Sequence, residues 1–204
     1  YRRPVTPKEA GAMFDLYRVI RKRSDSFEAA MRETLALVLA TPDFLYLVEP
    51  SAAQRRMLND HELAARLSYF LWSTMPDATL TQLADAGKLS EPKTLAAQVE
   101  RLLADSRSGQ FVEHFTDQWL NLSGINRVAV NPQYHPKFND ALKTDMRRET
   151  QLFFAEILRT DASVLQFLDA DFAMLNRDLA KHYNLPQTDW PAGVAFERVA
   201  LKGD

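Results

Sequence analysis

The sequence predicts a mainly α protein: a bundle-like arrangement of about eight to nine helices, with one short strand near the C-terminus. Three observations carry this. Helix-start signatures recur along the chain, apolar residues repeat at three- and four-residue spacing, and alternating strand patterns are almost missing.

The first start signature is TPKE, Thr6–Glu9, a capping box with proline at the first helical position. It predicts a helix from Pro7 to Lys22, whose basic end RVIRKR suits the negative pole of the helix dipole. DSFE, Asp25–Glu28, predicts a second box, with Asp25 as cap and Phe27, Met31, Leu35, Val38 and Leu39 as the apolar stripe. Thr41 and Pro42 should stop that helix.

Asn59 and Glu62 form a third box, followed by a stripe of Leu63, Leu67, Phe70 and Leu71. This stretch, LNDHELAARL, begins like a zinc-protease helix. The position that would hold its second histidine is Ala65, which cannot ligate a metal. Glu62 has a simpler task in closing the cap, so His61 is read as structural.

Further helices are expected over Thr79 onward, Pro92–Ala104 with Ser90 as cap, Gly109–Leu122, Asn139–Arg159, Asp161–Asp169 and Asn176–Tyr183. Phe111, Phe115 and Trp119 share one face of their helix. The tail GVAFERVAL, Gly193–Leu201, alternates like a strand, with no obvious partner in the chain.

Composition narrows function mainly by exclusion. Net charge is −2, and acidic and basic residues are spread evenly, so no basic face for nucleic acid is expected. The chain has no cysteine, which excludes disulfides, thiolate metal sites, a cysteine nucleophile and covalent haem attachment within it. The longest apolar run, LALVLA, is too short to cross a bilayer. The sequence begins YRRPV without an initiator methionine, so a larger parent protein is expected. Phosphate loops, nucleophile elbows and dinucleotide fingerprints are not found.

Four residues stand as candidates for chemistry: Glu149, Glu156, His114 and Asp171. Glu149 and Glu156 are seven residues apart, nearly two turns, so both point to one side with Cα atoms about 10 Å apart. A di-iron site would need Glu-x-x-His pairs, which the chain lacks. The plainer reading gives Glu149 an arginine partner in a partly buried setting. His114 is read as a satisfied boundary residue beside the aromatic face. Asp169 and Asp171 lack the Gly and Glu of a calcium loop, which leaves a turn or capping role for Asp171, and the cap of the Asn176–Tyr183 helix for Asn176, ahead of calcium. Trp72 and Trp119 are expected in the core. No metal and no cofactor is assigned to this chain.

Two long stretches carry a resemblance. RRPVTPKEAGAMFDLYR with SFEAAMRETLALVLATPDFLYLVE resembles a small family of unknown function. LNDHELAARLSYFLWSTMPD, FVEHFTDQWL, MRRETQLFFAEIL and VLQFLDADFAMLNRDLAKHYNLP, in this order, resemble a larger family of unknown function. The resemblance implies a domain division: a helical hairpin over residues 1–50 packed on the rest, a main helical domain over 57–186, and a tail over 187–204 leading onward. It also implies context. Such families occur together in large, exported, multidomain proteins of planctomycete type, which often carry cytochrome-c-like haem segments and carbohydrate-binding-like modules elsewhere. The partners implied are other domains of the same parent protein, with polysaccharide reached through that parent and no transmembrane segment in this chain. The resemblance implies no catalytic residue.

The leading expectation is therefore a helical scaffold or interaction module. The alternative is part of an oxidoreductase or polymer-degrading enzyme, with the four candidates in a site completed elsewhere in the parent. A third is carbohydrate binding by an exposed row of Trp190, Tyr134 and Tyr183.

Overall fold

A computed structural model of the chain describes residues 2–46, 56–131, 133–185 and 195–201. It is mainly helical, with one small antiparallel sheet near the C-terminus. The chain divides into two compact units, residues 1–70 with 74–99 and residues 71–73 with 100–204.

In the first unit, α1 (Pro7–Arg23) and α2 (Phe27–Leu39) pack against each other, followed by the single turn α3 (Pro42–Leu45). The Thr6 capping box closes as the sequence predicts: Glu9 N donates to Thr6 Oγ1 at 3.3 Å, and Thr6 N donates to Glu9 Oε2 at 2.8 Å. The α2 cap is corrected by one residue. Ser26, not Asp25, accepts from Ala29 N. The α2 stripe is also corrected. The residues that bury are the small ones, Ala30 and Thr34, together with Ile20 of α1. Phe27, Leu35 and Leu39 stay exposed. Two helices packed through small side chains approach closely and leave their larger apolar groups outside.

Helix α4 (Asp60–Trp72) begins on the expected box, with Glu62 N donating to Asn59 Oδ1 and Asn59 N to Glu62 Oε2, both at 2.9 Å. Its buried line within this unit is Ala64, Ala65 and Ser68; of the expected stripe, Phe70 is exposed, while Leu71, at the end of α4 in the second unit, is buried as read. Ala65, at the position where a zinc helix needs histidine, is a packed methyl. His61 instead faces Asp85, with Nε2–Oδ1 3.5 Å. Arg2 ties the start of the chain to α4 and α3: it donates to the Tyr69 hydroxyl at 3.1 Å and the Tyr46 carbonyl at 3.0 Å.

Helix α5 (Ala78–Asp85), capped by Asp77, ends in a Schellman stop. Gly87 adopts φ +65°, Lys88 N donates to Leu83 O, and Gly87 N to Ala84 O. This turn delivers Leu89 N to Asp60 Oδ2 at 2.7 Å. Helix α6 (Pro92–Ala104) starts one residue later than its expected Ser90 cap: Glu91 supplies the first carbonyl, accepting from Leu95 N at 2.8 Å.

The second unit is built on α7 (Gly109–Leu120) and the long α8 (Asp140–Arg159), which pack together. Asn121, at φ 51°, turns the chain out of α7 two residues before the expected end, into a 3-10 segment, Leu122–Arg127. Helix α8 is capped by Asn139 and stopped by a Schellman motif with Asp161 at φ 49°: Ala162 N donates to Ile157 O. Its buried line is Leu142, Gln151, Phe154 and Ile157. The stretch expected as a helix over Asp161–Asp169 is a 3-10 turn, Val164–Phe167.

The C-terminal strand has a partner after all. β1 (Phe172–Leu175) pairs antiparallel with β2 (Glu197–Ala200), Phe172 opposite Ala200 and Leu175 opposite Glu197. Between them lies α9 (Arg177–His182), capped by Asn176 as expected, with Leu179 N donating to Asn176 Oδ1 at 2.9 Å. Leu142, Leu175 and Leu179 form a buried cluster, flanked by Phe138, Met146 and Val199.

Of the two tryptophans expected in the core, Trp72 is there and Trp119 is half exposed. Trp72 Nε1 donates to Leu102 O at 2.8 Å, and the Arg107 guanidinium lies 3.4 Å from the ring centroid. Trp119 packs edge-on to Phe167 and Phe154, at centroid distances of 5.7 and 6.5 Å.

Candidate functional site

The four candidate residues all fall in the second unit, and the structure brings only two of them together. Glu156 pairs with Arg159 one turn on, at 2.8 Å, and with Arg198 of β2 at 3.9 Å. Arg198 also reaches Asp171 at 3.8 Å and lies over the Phe172 ring at 4.2 Å. Asp171 is itself largely exposed, and its carbonyl accepts from Leu201 N at 2.6 Å. Glu156, Arg198 and Asp171 therefore fasten the ends of the two-stranded sheet to α8. Each carboxylate has an arginine partner, which is the signature of a structural clamp.

His114 contacts a different group, its Nδ1 lying 2.9 Å from Ser73 Oγ. Its ring is exposed on α7.

Glu149 has the most chemically informative setting. Its expected arginine partner is not what the structure shows. The Tyr183 hydroxyl donates to Glu149 Oε2 at 2.7 Å. The α9 stop explains how Tyr183 arrives there. Tyr183 is the C-cap, Asn184 takes the left-handed conformation at φ 55°, and Leu185 N returns to Ala180 O at 3.0 Å. The neighbouring Arg147 is bound to Asp117 of α7, with its Nε 3.1 Å from Oδ1.

Glu149 and Tyr183 line an open groove of about 380 Å³, with α8 on one side and the 3-10 segment after Asn121 on the other. Leu122, Ile125 and Val128 make its walls apolar. Burial raises the Glu149 pKa above the ordinary glutamate value, and the Tyr183 hydrogen bond opposes this only in part. Burial, with the adjacent carboxylate, pushes the Tyr183 phenol well above its ordinary range. The pair is thus a protonated phenol donating to a carboxylate that desolvation disfavours. A carboxyl with a raised pKa in a cleft is a general-base pattern, and it is equally a binding pattern for a cation.

Of the proposed aromatic row, Tyr134 is exposed and Tyr183 is engaged with Glu149, while Trp190 lies outside the described residues. Among the described residues, no group of three His, Asp or Glu side chains is placed to hold a metal ion. Among the described residues, no helix is long and apolar enough to cross a membrane.

Comparison with known families sets this geometry in context. The model described as "Protein of unknown function (DUF1592)" matches residues 58–185, more than half of the chain. The chain belongs to the DUF1592 family. A second model, "Protein of unknown function (DUF1595)", matches residues 1–49. No curated protein and no solved structure matches the chain. The DUF1592 match contains all four candidate residues, the groove and β1. Arg198, which joins Glu156 to Asp171, lies beyond it, as does the rest of β2.

Sequence reasoning missed Tyr183 as the Glu149 partner and Arg198 as the clamp. Tyr183 is 34 residues from Glu149, and no local pattern encodes that pairing. The signal for Arg198 was present in the alternation of the tail, whose partner strand was not recognised.

Proposed function

We propose that this DUF1592–DUF1595 chain is a helical scaffold and interaction module within a larger exported protein of planctomycete type, one that carries its cytochrome-c-like haem segment elsewhere. The single observation that carries the reading is the exposed apolar row on the first unit. Phe14, Tyr17 and Phe27 contact ring to ring across α1 and α2, with centroids 6.3 and 6.4 Å apart. Phe14 and Phe27 are more than half exposed, as is Leu35. Such a row on a helical hairpin is a docking surface by composition, since large exposed apolar patches mark interaction sites. Its occupant in this reading is another domain of the same parent protein. The adjacency of the two matched families supports that, because both belong to one chain. The lack of cysteine supports placing covalent haem attachment elsewhere in the parent.

The test is photo-crosslinking in the intact parent protein, with a benzophenone amino acid in place of Phe27 or Leu35. Crosslinks from these positions to another domain of the parent support the reading. Crosslinks absent at both positions, in protein whose helical content is unchanged, overturn it.

A second reading is favoured by the Glu149–Tyr183 groove: participation in an oxidoreductase or polymer-degrading enzyme whose site is completed by another segment of the parent. Glu149 would then act as a base or substrate-orienting group. Loss of activity of the parent protein in Glu149→Gln, with the fold retained, would support this reading over the scaffold.

A further inference from the structure

We propose that the groove beside Glu149 binds a primary alkylammonium group, the chemistry shared by a lysine side chain and a free n-alkylamine. The groove is lined by two ionisable groups of formal charge, Arg147 and Glu149. Arg147 is satisfied by a two-pronged pair with Asp117 and has no charge left to offer an anion. Glu149 receives one hydrogen bond, from a neutral phenol, and among the described residues it has no cationic partner. The uncompensated charge of the groove is therefore negative. It belongs to a carboxylate that is partly buried, so a cation binding there recovers electrostatic energy that water supplies poorly.

Shape narrows the ligand from any cation to one with an apolar stem. Leu122, Ile125, Val128 and Met146 line the groove together with Glu149. These apolar groups have nothing to offer a hydrated metal ion or a compact polar cation. They suit a chain of methylenes that lies along apolar surface and delivers a charged head to its end. Thr150, whose hydroxyl already donates to the Met146 carbonyl at 3.1 Å, leaves its lone pairs as a second acceptor beside the carboxylate. An ammonium with three donors matches a carboxylate plus a hydroxyl acceptor. The volume, about 380 Å³, lies within the range of small-ligand clefts. The phenol contributes by holding Oε2, which leaves the other carboxylate oxygen, Oε1, as an acceptor.

The inference is independent of the scaffold reading, which concerns the first unit, so the two fail separately. The experiment is titration of the full chain, ¹³C-labelled at its methionine methyls, with n-hexylamine hydrochloride, with Nα-acetyl-lysine N-methylamide and with sodium hexanoate. The expected result is a saturable shift of the Met146 methyl, assigned with Met146→Leu, by both ammonium ligands. Tighter binding of the blocked lysine would identify a polypeptide side chain as the source, and tighter binding of hexylamine a free amine. Glu149→Gln, a near-isosteric change, should weaken ammonium binding by about tenfold or more. Hexanoate shifting Met146 as strongly as the amines would overturn the proposal. So would unchanged amine affinity in Glu149→Gln, or titration of the wild-type chain that leaves the Met146 methyl unmoved.

Discussion

Tyr183 and Glu149 meet across the junction of α8 and α9, the phenol donating to the carboxylate at 2.7 Å. The contact is set by the backbone stop of α9, which fixes Tyr183 as C-cap and turns the chain at Asn184.

The Glu149 pKa is raised on folding, chiefly by burial. Well below the ordinary glutamate value, the folded and unfolded states both hold the proton and no difference arises. As pH rises above it, the unfolded chain ionises first, so folding becomes progressively less favourable until the folded carboxyl has also ionised. Glu149→Gln removes this cost. Its denaturation midpoint should exceed that of the wild type at neutral pH, and the gain should vanish in acid. Tyr183→Phe removes the hydrogen bond that opposes the shift, so the Glu149 pKa, followed by carboxyl ¹³C NMR, should rise further.

Ser68 is fully buried on α4, and its hydroxyl has no hydrogen-bond partner among the described residues. A buried hydroxyl left unpaired is costly, and alanine is the better helix former. Ser68→Ala should therefore stabilise the chain by about 1 kcal/mol, measured by urea denaturation. Destabilisation would show that the hydroxyl is bonded in solution.

Trp72 is anchored by its indole N–H on the Leu102 carbonyl and covered by Arg107. Trp72→Ala should cost about 3–5 kcal/mol through lost burial and a cavity. Trp72→Phe should cost less, about 1–3 kcal/mol, because it leaves the Leu102 carbonyl unpaired while keeping most of the ring. Comparable losses in the two variants would point to the hydrogen bond as the main contribution.

The Asn59–Glu62 box starts α4, and Asn59→Ala should cost about 1 kcal/mol. The Arg56 guanidinium, then the cap hydrogen bond, hold the Glu62 pKa below its ordinary value. A lowered carboxylate contributes stability that is present above the unfolded pKa and lost as pH falls through the folded one. The wild type should thus lose stability in acid more steeply than Glu62→Gln, as a pH series of thermal melts would show.

Much of the fold was legible because its signals are local. Thr6 with Glu9, Asn59 with Glu62, and Asn176 each announce a helix start within four residues, and each cap forms. What each helix buries was less legible. On α2 and along α4 as far as Phe70 the chain buries Ala30, Ala64, Ala65 and Ser68 and leaves Phe27 and Phe70 outside, because close packing there favours small groups, whereas Leu71 and Trp72 bury at the end of α4. β1 was hidden because Phe172 and Leu175 bury while the two residues between them are half-buried, so FAML has no alternation. The candidate site was legible only as separate residues. Glu149 was singled out for its place on α8, but its partner Tyr183 comes from a tertiary contact that spacing does not encode.

The most direct test of the scaffold reading is photo-crosslinking from Phe27 or Leu35 in the intact parent protein. Crosslinks to another domain of that protein are expected at both positions. Crosslinks at neither position, with the helical fold intact, would contradict it.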